Sequence, residues 1–235
     1  MISRRGLPWL ALPALAQEAV SVLSGGALEP PLHAALALWQ GALPDVTFNT
    51  SPIIAQRLLV GERPDVLLAP AALFQARRLA VAAVTAVPLG GVSVGVAVGD
   101  NAANPGITDE ASFRTAVLAA DALVFNRASS GLYMDQLFTR LGLTDTVAAK
   151  SVRLPDGDSV LRRIAGGNSR EIGFAAITEI LLFRGRGVRL MGPLPVGLGH
   201  STLYAGAALT PRGQPLMTFL ASEPARAAMQ VAGLE

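Results

Sequence analysis

The sequence predicts an α/β protein with two lobes, in which mixed, mostly parallel β-sheets are flanked by helices. Three observations predict this class. Short apolar runs alternate with segments of helical periodicity from residue 19 onwards, as expected where helices connect parallel strands. Hydrophobic residues make up 51% of the 235 residues and charged residues only 15%, which suits strands buried on both faces. Glycine-rich stretches at residues 90–91 and 197–199 mark two places where the chain is expected to cross between the lobes.

The first 85 residues alternate regularly between the two kinds of element. Leu32 and Leu36 recur at helical spacing, and the preceding Pro30 and Pro31 are tolerated in the first turn of a helix, where a missing N–H costs little. Apolar runs with β-branched residues, bounded by turn residues, predict the strands. The predicted strands are residues 19–24, 46–49 and 65–69, and the predicted helices are residues 29–40, 52–60 and 72–81.

The remainder of the chain continues this alternation. Strands are predicted at residues 92–98, 122–125, 151–154, 172–177, 188–191 and 202–209. Helices are predicted at residues 108–120, 130–141, 159–165, 178–183 and 214–232, the last interrupted near Glu223 and Pro224. We therefore predict that lobe 1 comprises residues 19–88 and 197–235, and that lobe 2, residues 89–196, is inserted between these two segments.

The N-terminus has the pattern of an export signal. Arg4 and Arg5 precede an apolar stretch, and residues 14–16 have the small-x-small form of a cleavage site. We therefore predict that residues 1–16 are a signal peptide, cleaved near Ala16, and that the chain is exported to the periplasm. Cleavage removes two of the 19 basic residues and leaves as many basic as acidic residues, of which there are 17.

Composition and motifs argue against several functional classes. The arginines are scattered and Lys150 is the only lysine, whereas a nucleic-acid-binding protein is expected to have a clustered basic face. The absence of cysteine excludes disulfides, thiol nucleophiles and zinc–thiolate sites. Neither a G-x-G-x-x-G loop nor a P-loop is present, and we predict no cofactor and no metal site.

Catalytic constellations are equally incomplete. Residues 199–203 (GHSTL) resemble half of a nucleophile elbow, but the final glycine is missing. His33 and His200 are the only histidines, so a hydrolase would depend on His200 acting as the base for Ser201. We predict that the chain is not an enzyme, with a small hydrolase as the enzymatic alternative.

The most informative feature is a repeated junction, in which a strand ends at small or hydroxyl residues and a helix begins at once. The first N–H groups of a helix have no intrahelical acceptor and carry about half a positive charge, so they attract anions. In open α/β sheets, ligands bind beyond the carboxyl ends of the strands, where such junctions lie. Several junctions that meet in one cleft would bind an anion without a lysine. The junctions are residues 24–27, 49–52, 127–131 and 157–159.

Three serines are predicted at N-cap positions of these helices, namely Ser51, Ser130 and Ser159. Each alone is explained by helix capping, because serine is a preferred N-cap in any protein. Together at one edge of the sheets, they become candidate ligands for an anion. Arg127 precedes one of the junctions and would add a bidentate partner for an oxyanion if its side chain points inward.

The order of several segments resembles a known family. The segments are SGGALEPPL, FNTSPIIAQRLLVGERPDVLLAP, NRASSGLYMDQLFTRLGL, GDSVLRRIAGG, EIGFAAITEI and SEPARAAMQVAGLE, and the resemblance covers nearly all of residues 19–235. In order and spacing they resemble the periplasmic molybdate-binding proteins of ABC importers, which are type II periplasmic binding proteins. The resemblance implies a monomer that captures a small oxyanion, such as molybdate or tungstate, between two lobes and delivers it to the permease of an ABC transporter.

The resemblance also implies that hydroxyl and N–H groups at helix starts bind the ligand. The family's second-loop serine falls on Ser51, whereas its first-loop serine falls on Ala27 and its tyrosine on Ala176. Because these two hydroxyls are missing, the ligand stays open between a tetrahedral oxyanion and a small organic anion such as a carboxylate. Sensing in the periplasm is an alternative to transport. The candidate ligand-binding residues are Gly26, Ala27, Ser51, Arg127, Ser129, Ser130, Ser159 and Ala176.

Overall fold

The computed structural model describes residues 18–77, 79, 81, 84–168 and 170–235, so the predicted signal peptide at residues 1–16 lies outside the described residues. Within them the chain forms an α/β fold with a mixed, curled sheet flanked by helices, which confirms the predicted fold class. The strands are β1 (Ser21–Gly25), β2 (Asp45–Asn49), β3 (Val66–Pro70), β4 (Val87–Gly99), β5 (Ala122–Asn126), β6 (Ser151–Leu154), β7 (Glu171–Ala176), β8 (Val188–Pro193) and β9 (Ser201–Ala208). The helices are α1 (Glu29–Leu36), α2 (Ser51–Leu59), α3 (Ala71–Phe74), α4 (Glu110–Ala119), α5 (Ser129–Arg140), α6 (Thr144–Ala148), α7 (Gly157–Gly166), α8 (Ile177–Leu182), α9 (Gln214–Leu220) and α10 (Glu223–Val231).

The strands form a continuous sheet that divides into two halves. The strand order is β2-β1-β3-β9-β4-β7-β5-β6, and β8 also pairs with β4. The long strand β4 joins the halves, because its residues up to Ser93 pair with β9 and those from Val94 onwards pair with β7 and β8. We call lobe 1 the half that contains β1, β2, β3 and β9 with their helices, and lobe 2 the half that contains β5 to β8 with theirs.

Each lobe is built on three parallel strands. β1 pairs with β2 and β3, and β5 pairs with β6 and β7, all in parallel. The antiparallel pairs involve β4 or β9, the strands beside the lobe boundary. Among the described residues, four strand pairs are parallel and four are antiparallel. The parallel units bring the carboxyl ends of their strands, and the helices that begin there, to one edge of each lobe.

Apolar side chains cover both faces of each half of the sheet. In β1 the neighbours Val22 and Leu23 point to opposite faces and pack into two different clusters. In lobe 2 the rings of Phe113, Phe138 and Phe174 pack against one another, with centroids 6.0 to 6.4 Å apart. Burial of each large apolar side chain contributes about 1.5–3 kcal/mol. This packing fixes the strand ends from which the helices begin.

The predicted helix at residues 72–81 is much shorter in the structure. Within the described residues, α3 covers only Ala71–Phe74. The N–H of Ala76 bonds to the carbonyl of Leu73, three residues back, so a tight turn ends the helix. A further short helix, α6, follows Gly142, and the sequence pattern does not predict it.

The glycine pair at residues 90–91, where the sequence predicts a lobe crossing, lies inside β4. The register is irregular between Pro88 and Gly90. Beside this irregularity, the backbone of Glu235 pairs with that of Gly91 in both directions, with N···O distances of 2.8 Å. The final residues therefore pack close to the lobe boundary.

Candidate ligand-binding site

A cavity of about 410 Å³ lies between the two lobes, at the edge where the helices begin. Lobe 1 contributes the segment after β1 and the start of α2, and lobe 2 contributes the starts of α5, α7 and α8. Polar groups and apolar side chains both line the cavity. The apolar ones include Ile53, Val92, Val94, Leu161, Leu182 and Phe183. This size and mixture are typical of small-molecule sites.

Two serines from opposite lobes meet in this cavity. The hydroxyl of Ser51, at the start of α2, lies 3.0 Å from the hydroxyl of Ser129, at the start of α5, and the two share a hydrogen bond. Both residues lie in the first turn of their helices, where the N–H groups have no intrahelical acceptor. Two hydroxyls and two helix starts therefore face one another across the cleft.

The predicted N-cap role of three serines is wrong, because the helices begin one to three residues earlier. Ser51 and Ser130 lie inside the first turns of α2 and α5. In α7, a carboxylate takes the capping position instead of Ser159, whose N–H donates to it over 2.8 Å. The observed N-cap residues are Thr50, Ala128 and Asp156.

Asn126, at the end of β5, shapes the start of α5. Its side-chain carbonyl accepts the N–H groups of Ala128 (2.9 Å) and Gly131 (3.1 Å), which is an Asx-type turn. Its amide donates to the hydroxyl of Ser130 over 3.0 Å. The hydroxyl of Ser130 is therefore buried and engaged, whereas the neighbouring hydroxyl of Ser129 faces Ser51 across the cavity.

The structure brings six of the eight candidate residues to the cavity and leaves Arg127 and Ser159 outside its lining. Arg127 is exposed, and its N–H bonds to the carbonyl of Leu154 at the edge of β6. Because successive residues at a strand end point to opposite sides, Asn126 turns inward and Arg127 outward. Contact between a ligand and the six candidate residues that line the cavity stays a prediction. They are Gly26, Ala27, Ser51, Ser129, Ser130 and Ala176.

Glu179, which sequence reasoning does not find, also lines the cavity. It lies in the first turn of α8. A Cβ atom placed on Gly157 would be 2.1 Å from one of its carboxyl oxygens, and a Cβ on Gly26 would be 3.3 Å from the other. The carboxyl group therefore packs against the backbone of one glycine from each lobe. Its only signal in the sequence is a single charge within the apolar run at residues 177–183 (ITEILLF).

Burial raises the pKa of Glu179 to about 7. The backbone N–H of Ala176 opposes this shift, because it stabilises the charged carboxylate. The negative charges of Asp156, Glu29 and Asp158 add to the shift. Glu179 therefore changes charge near neutral pH, and it presents to the cavity either a carboxylate or an acid proton.

A tyrosine also lines the cavity, but from a strand other than the one the resemblance implies. Tyr204, on β9, is buried and lies against Gly25. Burial raises the pKa of its hydroxyl, and the charge of Glu179 adds to the rise. The resemblance places the family's tyrosine at Ala176, on β7, where the chain has no hydroxyl. Tyr204 therefore supplies a neutral phenol from lobe 1.

The charged side chains of the cavity are of both signs. Arg162 pairs with Asp158 at 2.5 Å, and the guanidinium of Arg186 lies 4.8 Å from the ring centroid of Phe183. Carboxyl groups outnumber these two arginines in the lining, and they belong to Glu29, Asp156, Asp158 and Glu179. The site is therefore not a uniformly positive anion trap. Within the described part of the chain, no cluster of three or more histidine, aspartate or glutamate residues could hold a metal ion.

Residues 20–235 match the family described as bacterial extracellular solute-binding protein. The chain belongs to this family. The resemblance found in the sequence is thereby confirmed for the solute-binding family, whereas molybdate specificity stays a prediction. Among the described residues of this solute-binding protein, no helix has the length and hydrophobicity needed to span a membrane.

Solved structures of solute-binding proteins share the fold. The periplasmic molybdate-binding protein of Azotobacter vinelandii superposes with a TM-score of 0.68 at 17% identity, covering 92% of this chain and 98% of that one. The sulfate-binding protein SubI from Mycobacterium tuberculosis H37Rv superposes with a TM-score of 0.69 at 15% identity, covering 92% and 86%. At these identities the likeness shows the fold alone.

A curated relative is named for an enzyme. Aconitate isomerase from Pseudomonas sp is 27% identical over 184 residues, which are 76% of this chain and 66% of that protein. The chain thus spans just under two thirds of the length of this curated relative. The prediction of a binding protein agrees with the family and with the solved neighbours, whereas this relative carries an enzyme's name.

Proposed function

We propose that this solute-binding protein captures a small organic anion, a carboxylate, in the cleft between its lobes and delivers it to an ABC importer. The observation that carries the proposal is the cavity of about 410 Å³ in which Ser51 and Ser129, from opposite lobes, meet at two helix starts. Hydroxyls and first-turn N–H groups are donors suited to a carboxylate. Export through the leader at residues 1–16 is part of the proposal.

The size and the lining of the cavity favour an organic ligand. An anion of four oxygens fills roughly the volume of four water molecules, about 120 Å³, whereas this cavity is several times larger. Apolar side chains such as Val92, Val94 and Leu161 suit a carbon skeleton. The relative named aconitate isomerase adds support, because aconitate is a small tricarboxylate.

A tetrahedral oxyanion of the molybdate or tungstate kind is the second candidate. The hydroxyl pair of Ser51 and Ser129 would bind its oxygens equally well, and solved neighbours are named for molybdate and sulfate. Two cavity carboxyl groups, those of Glu29 and Glu179, oppose a compact dianion through charge repulsion.

Isothermal titration of the full chain, freed of co-purified ligand, tests the proposal with two sets of anions. The first set is malate, succinate, citrate and aconitate, and the second is molybdate, tungstate, sulfate and phosphate. We expect a carboxylate to bind, and we expect Ser51→Ala and Ser129→Ala each to weaken that binding about tenfold, because each removes one hydrogen bond to a charged group. Ser222→Ala, before α10 and outside the cavity, is the matched control and should change nothing.

The outcomes separate the candidates. Failure of every carboxylate to bind contradicts the proposal, and binding of the second set alone selects the oxyanion instead. The samples with aconitate are also followed by chromatography for interconversion of its cis and trans forms. Conversion that depends on the protein would contradict the prediction that it is not an enzyme.

A further inference from the structure

Binding of an anion does not by itself explain the cavity carboxyl groups of Glu29 and Glu179, and of these Glu179 packs against glycines of both lobes. A carboxylate in an anion site opposes the charge of the ligand, so it is expected only where it makes a contact of its own. The contacts around Glu179 indicate what that contact is.

The fold holds Glu179 at the point where the two lobes meet. The hydroxyl of the preceding residue, Thr178, is buried and donates to the carbonyl of Ala27 in lobe 1 over 2.6 Å, which ties the start of α8 to the segment after β1. The carboxyl group is then wedged between Gly26 and Gly157, at the distances given above. No bulkier residue fits at Gly157 without moving Glu179, so this carboxyl group has a defined place in the cleft.

The backbone N–H of Ala176 uses part of the acceptor capacity of Glu179, and the neighbouring side chains leave the rest unused. The titratable groups that face it are Glu29 from α1, Asp156 and Asp158 at the start of α7, and Tyr204 from β9.

The arginines of the lining are directed elsewhere, because Arg162 pairs with Asp158 and Arg186 lies on the ring of Phe183. In the part of the chain that the structure describes, no side chain donates a hydrogen bond to the carboxyl group of Glu179. Beyond the bond from the N–H of Ala176, its ionised oxygens are therefore left to a donor that enters the cavity.

We propose that Glu179 determines specificity by requiring a hydrogen-bond donor on the bound anion, and that the ligand is a hydroxycarboxylate. This inference rests on the proposed function. The carboxylate of the ligand would lie against Ser51 and Ser129, and its hydroxyl would donate to Glu179. An analogue without the hydroxyl has the same charge but leaves the Glu179 carboxylate without that hydrogen bond in a partly apolar cavity. Sites built around a buried hydrogen-bonding group reject such analogues strongly.

Matched ligand pairs test this inference. Lactate and propionate, malate and succinate, and citrate and tricarballylate each differ by one hydroxyl group. The titrations are made at pH 8, where Glu179 is ionised. In the pair that binds, the hydroxy acid should have an affinity on the order of tenfold or more above that of its analogue. In Glu179→Gln the preference should collapse, mainly because the analogue without the hydroxyl binds more tightly. Glu223→Gln, an exposed residue of α10, is the matched control and should keep the preference.

The pH dependence separates this role from a structural one. In the wild type the preference should shrink from pH 8 to pH 6, because a protonated Glu179 is a weaker acceptor for the hydroxyl of the ligand. In Glu179→Gln the preference should not change with pH. Equal binding of both members of a pair to the wild type overturns the inference and leaves the proposed function standing. If the preference is unchanged in Glu179→Gln, another residue causes it, and the inference is also overturned. Failure of these six acids and of aconitate to bind overturns the proposed function itself, whereas binding of aconitate alone overturns only this inference.

Discussion

Asp65 is a buried carboxyl group and Glu179 a half-buried one in the cavity, and their neighbours shift their pKa values in opposite directions. Asp65 accepts hydrogen bonds from the hydroxyl of Thr210 and from the N–H and hydroxyl of Ser21, the latter two over 3.0 and 3.1 Å. The bond from Thr210, followed by that from the N–H of Ser21, lowers the pKa of Asp65. Glu179 has acidic neighbours instead, and burial raises its pKa to about 7.

The difference shows what each carboxyl group is used for. Asp65 joins the start of β1 to β3 and to the segment after β9, so its ionised form is part of the fold. The ionised form of Glu179 finds no side-chain donor in the described part of the chain, and groups in this state are concentrated at functional sites. The supply of donors, rather than the depth of burial, separates a structural carboxylate from a candidate functional one.

Replacement of Asp65 by alanine should have the largest effect on stability. The change leaves the N–H of Ser21 and the hydroxyl of Thr210 without their acceptor, and we expect the free energy of unfolding to fall by about 3 to 4 kcal/mol. Chemical denaturation at pH 7 measures this loss. Asp45→Ala, at an exposed aspartate at the start of β2, is the control. A loss of stability no larger than that of the control would show that Asp65 does not stabilise the fold.

Glu179 should make the ligand-free protein less stable as the pH rises from 5 to 8. Its folded-state pKa of about 7 lies above its ordinary value of 4.5, so the folded protein retains a proton that the unfolded chain releases. The stabilisation is fully present below about pH 4.5 and is lost as the pH rises through 7, a difference of about 3 kcal/mol at most. Asp65 has the opposite sign, because its lowered pKa makes stability fall in acid.

Denaturation of the wild type and of Glu179→Gln at pH 5, 6, 7 and 8 measures this difference. The variant should lack the downward slope and should be more stable than the wild type at pH 8. Partial desolvation lowers the pKa of His200, so this residue makes both proteins more stable as the pH rises to about 6.5. The comparison of the two curves removes this shared contribution. Parallel curves would show that Glu179 is not the group that titrates.

The sequence predicts most of the fold because the spacing of apolar residues within each strand and helix marks the face that is buried. The parallel units around β1 and β5 follow from alternating apolar runs and helical spacing. The pairing of β4 with β9 does not, because it joins segments about a hundred residues apart and depends on how the two halves of the sheet meet. The predicted lobe boundaries stay a prediction, and in the structure β4 passes from one sheet half to the other at Ser93 and Val94.

The sequence predicts the site residues that lie at strand–helix junctions, but not those that reach the cavity only through the packing of distant elements. Ser51 and Ser129 come from strand–helix junctions that the sequence marks, and the structure brings their hydroxyls together although they are 78 residues apart. The outward direction of Arg127 follows from which of the two neighbours at the end of β5 faces the cavity, and here Asn126 does. Glu179 becomes a site residue only through its contacts with glycines of both lobes, and a single glutamate in an apolar helix carries no such information.

Gly157→Ala should have the smallest effect on stability, and it moves Glu179 without removing its charge. The new Cβ would be 2.1 Å from a carboxyl oxygen, so the flexible glutamate side chain must swing away. We expect the free energy of unfolding to change by less than about 1 kcal/mol, because alanine suits a helix better than glycine does. The pH slope and the preference for hydroxy acids should both weaken. Gly166→Ala, at the other end of α7 with no atom within 4 Å, is the matched control in the same denaturation and titration experiments. If Gly157→Ala keeps the wild-type slope and preference, the position of Glu179 between the two glycines is not what distinguishes it from Asp65.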